Sequence, residues 1–247
     1  MPSTRRSRLR PDSKHRADVT GTDRPTNRRP RIGLVHALHA SIAPIEAAFL
    51  QSWPEAETVS LYDQSLYADF NKTRALTPDI FRRIEGLLKF SRETGAEAIL
   101  FTGSLFGDPV EAARNKMDIP VLTAYEAMIE EAFATGKRPR LGMLSTAAGT
   151  GEMMSADIQE YAAANGREYD LDARYVAGAI DALLWGDREE HDELVAAAAA
   201  QMGECDALML AQFSMAPVAK RLPDVEGRKV LTSPGSAVAK LKKLISG

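Results

Sequence analysis

The stretch EAILFTG, residues 97–103, runs an apolar segment into a small polar turn, and DALMLAQ, residues 206–212, repeats that pattern 109 positions later. Two further pairs keep the same spacing: RIG at 31–33 with RLG at 140–142, and VLT at 121–123 with VLT at 230–232. Buried parallel strands draw on a narrow set of apolar residues, so one such match carries little weight. Three separated strands on a single gapless offset indicate a duplicated unit. The chain therefore reads as α/β, with two similar lobes, 31–136 and 137–247. Their parallel four-stranded sheets are related by a pseudo-two-fold, with the active-site cleft between them.

Outward from these strands the spacing becomes helical. TPDIFRRIEGLLKFSRETG (77–95) has Thr77 as cap, Pro78 at the first helical position and Gly95 as stop. Strands are expected at 31–37, 57–63, 97–103 and 119–123, then at 140–146, 169–176, 206–212 and 229–233. Helices are expected at 41–50, 77–95, from Asp108, at 124–135, up to Asn165-Gly166, at 191–202 and at 235–245. Asp108, Pro109 and Glu111 form a pattern like a capping box. DQSLYADFNKTRA (63–75) reads as a connection long enough to be a lid.

At 247 residues, with 45% hydrophobic and 26% charged residues, the chain has the makings of a well-buried soluble core. Aromatics reach only 6%, which argues against a stacking platform for single-stranded nucleic acid. The net charge of -3 conceals a basic start, where Arg5, Arg6, Arg8, Arg10, Lys14 and Arg16 face only Asp12. Residues 1–30 hold too few apolar groups to offset the entropy of ordering and are expected to be a disordered, solvated tail. No apolar segment suited to a secretory signal follows, and none approaches the ~20 residues of a membrane span, so a cytoplasmic protein is expected. The single cysteine, Cys205, excludes an intrachain disulfide and a cysteine metal cluster; it reads as a small hydrophobe near a strand start.

Ligands of open α/β sheets sit beyond the carboxyl ends of the strands. Gly103 and Gln212 are thus expected to face each other across the cleft. His36 ends the first strand, and an ordinary imidazole pKa of about 6.5 suits proton transfer; His39, Tyr62 and Asp63 are weaker candidates nearby. GTGEMM (149–154) has Met154 where a dinucleotide fingerprint needs its third glycine, and HDE (191–193) is placed on a solvated helix. No cofactor and no metal are expected.

The duplicated lobes, ILFTGSLFG at 99–107 and ALMLAQFSMAP at 207–217 resemble the Asp/Glu/hydantoin racemase superfamily, which includes maleate isomerases and arylmalonate decarboxylases. The resemblance covers residues 31–247. It implies a cysteine at the third-strand end of each lobe, one thiolate taking a proton and the opposite thiol supplying one. Those positions fall on Gly103 and Gln212, so two-thiol chemistry is not available to this chain. The decarboxylases keep a glycine at one of the two positions, which Gly103 resembles and Gln212 does not. Carried over, the resemblance implies a cofactor-independent enzyme acting on a small carboxylate, an amino acid included, by racemisation, isomerisation or decarboxylation. An enolate-like intermediate and non-cysteine proton transfer go with it. Gly103, Ser104, Leu105 and the neighbouring N–H groups, Ser214, Thr123 and Thr232 would hold the substrate, and Gln212 and His36 would serve catalysis. The other reading is a small-carboxylate-binding protein that kept the cleft and lost the chemistry. The resemblance also leaves room for a homo-oligomer.

Overall fold

The computed structural model describes residues 29–246; of the tail expected over 1–30, residues 1–28 lie outside them, while Arg29 donates to the Pro54 and Glu55 carbonyls and the Pro30 carbonyl accepts the Glu57 N–H. Among the described residues no helix is long and apolar enough to cross a membrane.

The first lobe has strands β1 (Arg31–His36), β2 (Glu57–Tyr62), β3 (Ala98–Phe101) and β4 (Val121–Leu122), paired in parallel in the order β2-β1-β3-β4. The second has β5 (Arg140–Ser145), β6 (Asp170–Tyr175), β7 (Ala207–Leu210) and β8 (Lys229–Thr232), in the order β6-β5-β7-β8. The 109-residue offset survives in the register. Ile32 lies opposite Ala98 as Leu141 lies opposite Ala207, and Ile99 opposite Val121 as Leu208 opposite Val230. Even an edge contact repeats, since the Arg31 N–H donates to Glu97 Oε1 at 3.0 Å and the Arg140 N–H to Asp206 Oδ2 at 2.7 Å. Only β2 and β6 depart from the offset, Glu57 and Asp170 being the residues opposite Arg31 and Arg140.

The helices are α1 (Ile42–Ser52), α2 (Ser65–Thr73), α3 (Pro78–Glu93), α4 (Gly107–Arg114), α5 (Glu126–Phe133), α6 (Thr150–Ala164), α7 (Ala179–Leu184), α8 (Arg188–Ala200) and α9 (Ser233–Ser246). Helix α3 follows its sequence signals: the Ile80 N–H donates to Thr77 Oγ1, Pro78 opens the helix, and Gly95, at φ 93°, ends it. It buries Ile80, Ile84, Leu88 and Ser91 on one face. That face lies so close to β1 that a Cβ on Gly33 would come 2.0 Å from Ser91 Oγ.

Three local expectations are corrected. Residues 63–75 do not form a lid loop; Asp63 caps Ser65 N–H at 2.9 Å and helix α2 follows. Helix α4 begins at Gly107 without any side-chain cap, so Asp108 and Glu111 do not close a capping box. Helix α8 starts at Arg188, capped by Asp187 accepting from the Glu190 N–H at 2.9 Å, and it buries His191 and Asp192 rather than exposing them.

One hydrophobic cluster runs through both lobes, joining Leu34 and Leu100 to Met143, Met209 and Leu241, and a separate cluster fills the outer side of each sheet. Polar bonds also cross the junction: Lys240 Nζ reaches Glu126 at 2.9 Å and Glu130 at 2.6 Å, and Ser236 donates to Glu131 at 2.7 Å. Each lobe lends its first long helix to the other. Helix α6 meets the 3-10 turn Ser104–Phe106 after β3, and α1 meets the 3-10 segment Phe213–Arg221 after β7.

Candidate active site

His36 closes β1 with its ring fully enclosed. Nδ1 lies 2.9 Å from Thr102 Oγ1 and 3.2 Å from Ser41 Oγ, and Nε2 lies 3.3 Å from Ser60 Oγ. The imidazole therefore ties the ends of β1, β2 and β3 together. Burial, with His39 adding like-charge repulsion, lowers its pKa to about 4, so the ring is neutral at pH 7. Tyr62 is exposed and packs edge-on against the His39 ring, while Asp63 is held by Arg83 at 2.6 Å.

Gly103 follows β3 with φ at -89°, a conformation open to any residue; space is what demands the glycine. A Cβ there would come 2.7 Å from the Phe101 ring and 2.9 Å from that of Phe106. Leu105 is buried in the first lobe's outer core, so only its backbone can meet a ligand. Gly103, Ser104, Thr123 and Tyr125 line a pit of about 40 Å³ whose far wall is α6. Tyr125 is 3% exposed and its hydroxyl is buried without a hydrogen-bond partner. The Ser104 and Thr150 hydroxyls lie close enough to influence it, yet neither completes a bond of ordinary geometry. Burial holds this phenol well above its usual pKa, so it remains a donor.

Four carboxylates rim the pit: Asp108 and Glu111 from α4, Asp157 and Glu160 from α6. A wider cavity of about 250 Å³ shares Glu111, Thr123, Asp157 and Glu160 with it. Desolvation by the pit walls, then Glu111, Glu160 and Asp108 as like charges, push the Asp157 carboxyl up to about 6, although the residue stays open to solvent on its outer side. Asp108 and Glu111 stood out in the sequence only as helix-start residues, and no local motif marks Asp157, Glu160 or Tyr125. Extending the 109-residue offset from the strands to the helices would have shown where the two lobes differ.

In the second lobe, Gln212 occupies the position of Gly103. Its Oε1 accepts the Thr146 N–H at 3.0 Å, and its Nε2 is buried without a partner. Ser214 is buried, and its carbonyl accepts from Arg188 at 2.7 Å. The two threonines serve helix starts. Thr123 donates through N–H and Oγ1 to Glu126 Oε2, both at 3.1 Å, and Thr232 Oγ1 accepts the Gly235 N–H at 3.2 Å. Thr232 lines a groove of about 400 Å³ with Ala48, Gln51, Pro217, Lys220 and Pro234. Gly103 and Ser104 thus share one pit, whereas Gln212 is not among its lining residues and Thr232 belongs to the other groove. Cys205 lies before β7 at the opposite end of the sheet, its sulfur packed behind Gly142 and its thiol pKa raised by burial.

A family model described as Asp/Glu/hydantoin racemase matches residues 44–241. No curated protein matches the chain. Among solved structures, the fold is similar to a glutamate racemase from Bacillus anthracis at 12% identity, covering 88% of this chain and 82% of that one with a TM-score of 0.62. It is similar to an allantoin racemase from Klebsiella pneumoniae at 20% identity, covering 88% of each chain with a TM-score of 0.59. Unliganded arylmalonate decarboxylase matches at 16% identity, 88% and 94% coverage and a TM-score of 0.59. At such identities the likeness is one of fold.

Proposed function

The chain belongs to the Asp/Glu/hydantoin racemase family, and from that premise we propose that it is a cofactor-independent enzyme acting on a small carboxylate through an enolate-like intermediate. The observation that carries the reading is the pit beyond β3 and β4, lined together by Ser104, by Tyr125, whose buried hydroxyl has no partner among the described residues, and by Gly103, where a Cβ would have no room. Ser104 Oγ and the N–H groups of Ser104 and Leu105 receive the substrate oxygens. Donors fixed before the reaction stabilise the charge that develops on those oxygens without having to reorganise. The four rim carboxylates repel negative charge, a dianion most strongly, which favours a substrate whose carboxylate is balanced by an ammonium group over one with two carboxylates. Gln212, outside the lining of the pit, is assigned to hold the second-lobe turn through the Thr146 N–H. His36, neutral and enclosed, is assigned to hold the turn at Thr102 and Gly103 in place. Isomerisation and one-sided decarboxylation suit the pit better than racemisation, because Gln212 offers no exchangeable acid from the second lobe.

A binding protein is the second reading, favoured by the same absence of an acid at Gln212. Both are tested by incubating the protein with a panel of amino acids, 2-aryl and 2-alkyl monocarboxylates and malonates in deuterated water, with binding followed by calorimetry. Exchange at the α-carbon or loss of carbon dioxide supports the enzyme. Binding with neither supports the second reading, and absence of binding across the panel removes both.

A further inference from the structure

The duplication makes the two strand ends an internal control. Subtracting 109 places Asp157 on Ala48 and Glu160 on Gln51, while adding 109 places Asp108 on Pro217, Glu111 on Lys220 and Tyr125 on Pro234. All five of the latter residues line the second-lobe groove, so the corresponding positions lie in corresponding places. Every carboxylate is on the first-lobe side. Asp157 is exposed on α6, yet it lines the same pit as Tyr125, whose hydroxyl is buried without a partner among the described residues.

We propose that Asp157 is the proton-transfer residue of this pit, exchanging a proton with a substrate carbon seated over Gly103 while the Tyr125 hydroxyl donates to the substrate oxygen. The proposal rests on the reading of the pit as the reaction site. In the forward step an Asp157 oxygen forms a bond to the proton of the substrate's α-carbon. The C–H electron pair becomes the carbon–carbon π bond of the enolate, and the carbonyl π pair moves onto the oxygen that accepts from Tyr125. The reverse step returns the proton from the Asp157 carboxylic acid to carbon. Nothing else is consumed, and because one group handles both steps, exchange occurs on one face of the carbon.

The surroundings suit that role. Among the described residues Asp157 makes no ion pair, while the nearby cations have other partners: Arg114 pairs with Glu126 and with Glu111 on the rim, and Lys240 with Glu126 and Glu130. Glu111 and Asp108 from α4 and Glu160 from its own helix all disfavour its charge. A carboxyl shifted toward neutrality works in both directions near pH 7. Tyr125, whose pKa burial also raises and so moves further from neutrality, stays a hydroxyl throughout.

The test has two arms on the full-length protein. In the first, aspartate carboxyl carbons labelled with carbon-13 are titrated by NMR, with Asp157→Asn used to assign the signal. A resonance titrating well above the usual value of about 3.9, and missing from the variant, is expected; an ordinary titration overturns the proposal whatever the substrate. In the second, Asp157→Asn is expected to lower the α-exchange rate at least about 100-fold with KM changed less than about threefold, and Asp157→Glu to recover part of the rate. The pH profile of the wild-type rate is expected to lose its limb near pH 6 in Asp157→Asn. Wild-type exchange that survives in Asp157→Asn overturns the proposal and leaves the functional reading standing. Failure of the wild type itself to exchange or decarboxylate any panel member overturns the functional reading, and the proposal with it.

Discussion

Beyond β3 and beyond β7 the chain builds the same corner twice and equips it differently. The first corner has a glycine tight against Phe101 and Phe106, a stranded Tyr125 hydroxyl and a rim of four carboxylates. The second has Gln212 locked onto the Thr146 N–H, with alanine, glutamine, proline and lysine around the groove. Strand register is shared because both sheets bury the same apolar pattern, and that pattern tolerates little slippage. Loop and rim residues are free of that constraint. A duplicated scaffold can therefore keep its sheets alike and confine its chemistry to one end.

The largest expected effect separates the corners by pH. His36 is matched in the second lobe by Ser145, which does not titrate. Because the folded imidazole is depressed to about 4, the unfolded chain takes up the proton first. Stability is thus full above about pH 6.5 and falls as pH drops toward 4, by on the order of 3 kcal/mol for this residue. Chemical denaturation across that range should show the loss in the wild type, and His36→Ser should flatten this part of the profile. An unchanged slope in His36→Ser would place the acid sensitivity elsewhere.

Next come exchanges of the corner residues themselves. Gly103→Ala forces a Cβ against two rings and should cost about 1–3 kcal/mol in urea unfolding. Gln212→Gly strips the acceptor from the Thr146 N–H and should cost about 1–2 kcal/mol. If Gly103→Ala proved neutral, space would not be the reason for the glycine. The smallest effect has the opposite sign: Asp157→Asn removes a charge from among like charges, and its melting temperature at pH 7.5 should rise slightly. A fall would mean that Asp157 has a favourable partner.

Much of the architecture was legible in the sequence. The repeated strands fixed the lobes and, through one offset, even the register of Ile32 with Ala98 and Leu141 with Ala207. Helix α3 announced itself through Thr77, Pro78 and Gly95. Helix α2 was missed because Leu66 is its only buried residue and its last turn is polar; Leu66, Tyr67 and Phe70 were the available signal. The six-residue helix α7 is too short to show a period. His191 and Asp192 looked solvated among Arg188, Glu189, Glu190 and Glu193, but α8 packs against the segment Phe213–Arg221 and turns them inward. The rim of the pit was hidden for another reason. Its carboxylates come from α4 and α6, in different lobes, and only tertiary packing brings them together.

Confinement of ligand chemistry to the first-lobe corner can be checked by titrating propionate into nitrogen-15-labelled protein and following the backbone amides by NMR. Shifts are expected at Ser104, Leu105, Tyr125 and Asp157, with Phe213, Ser214 and Gly235 unmoved. Shifts confined to Phe213, Ser214 and Gly235, or none at either corner, would contradict it.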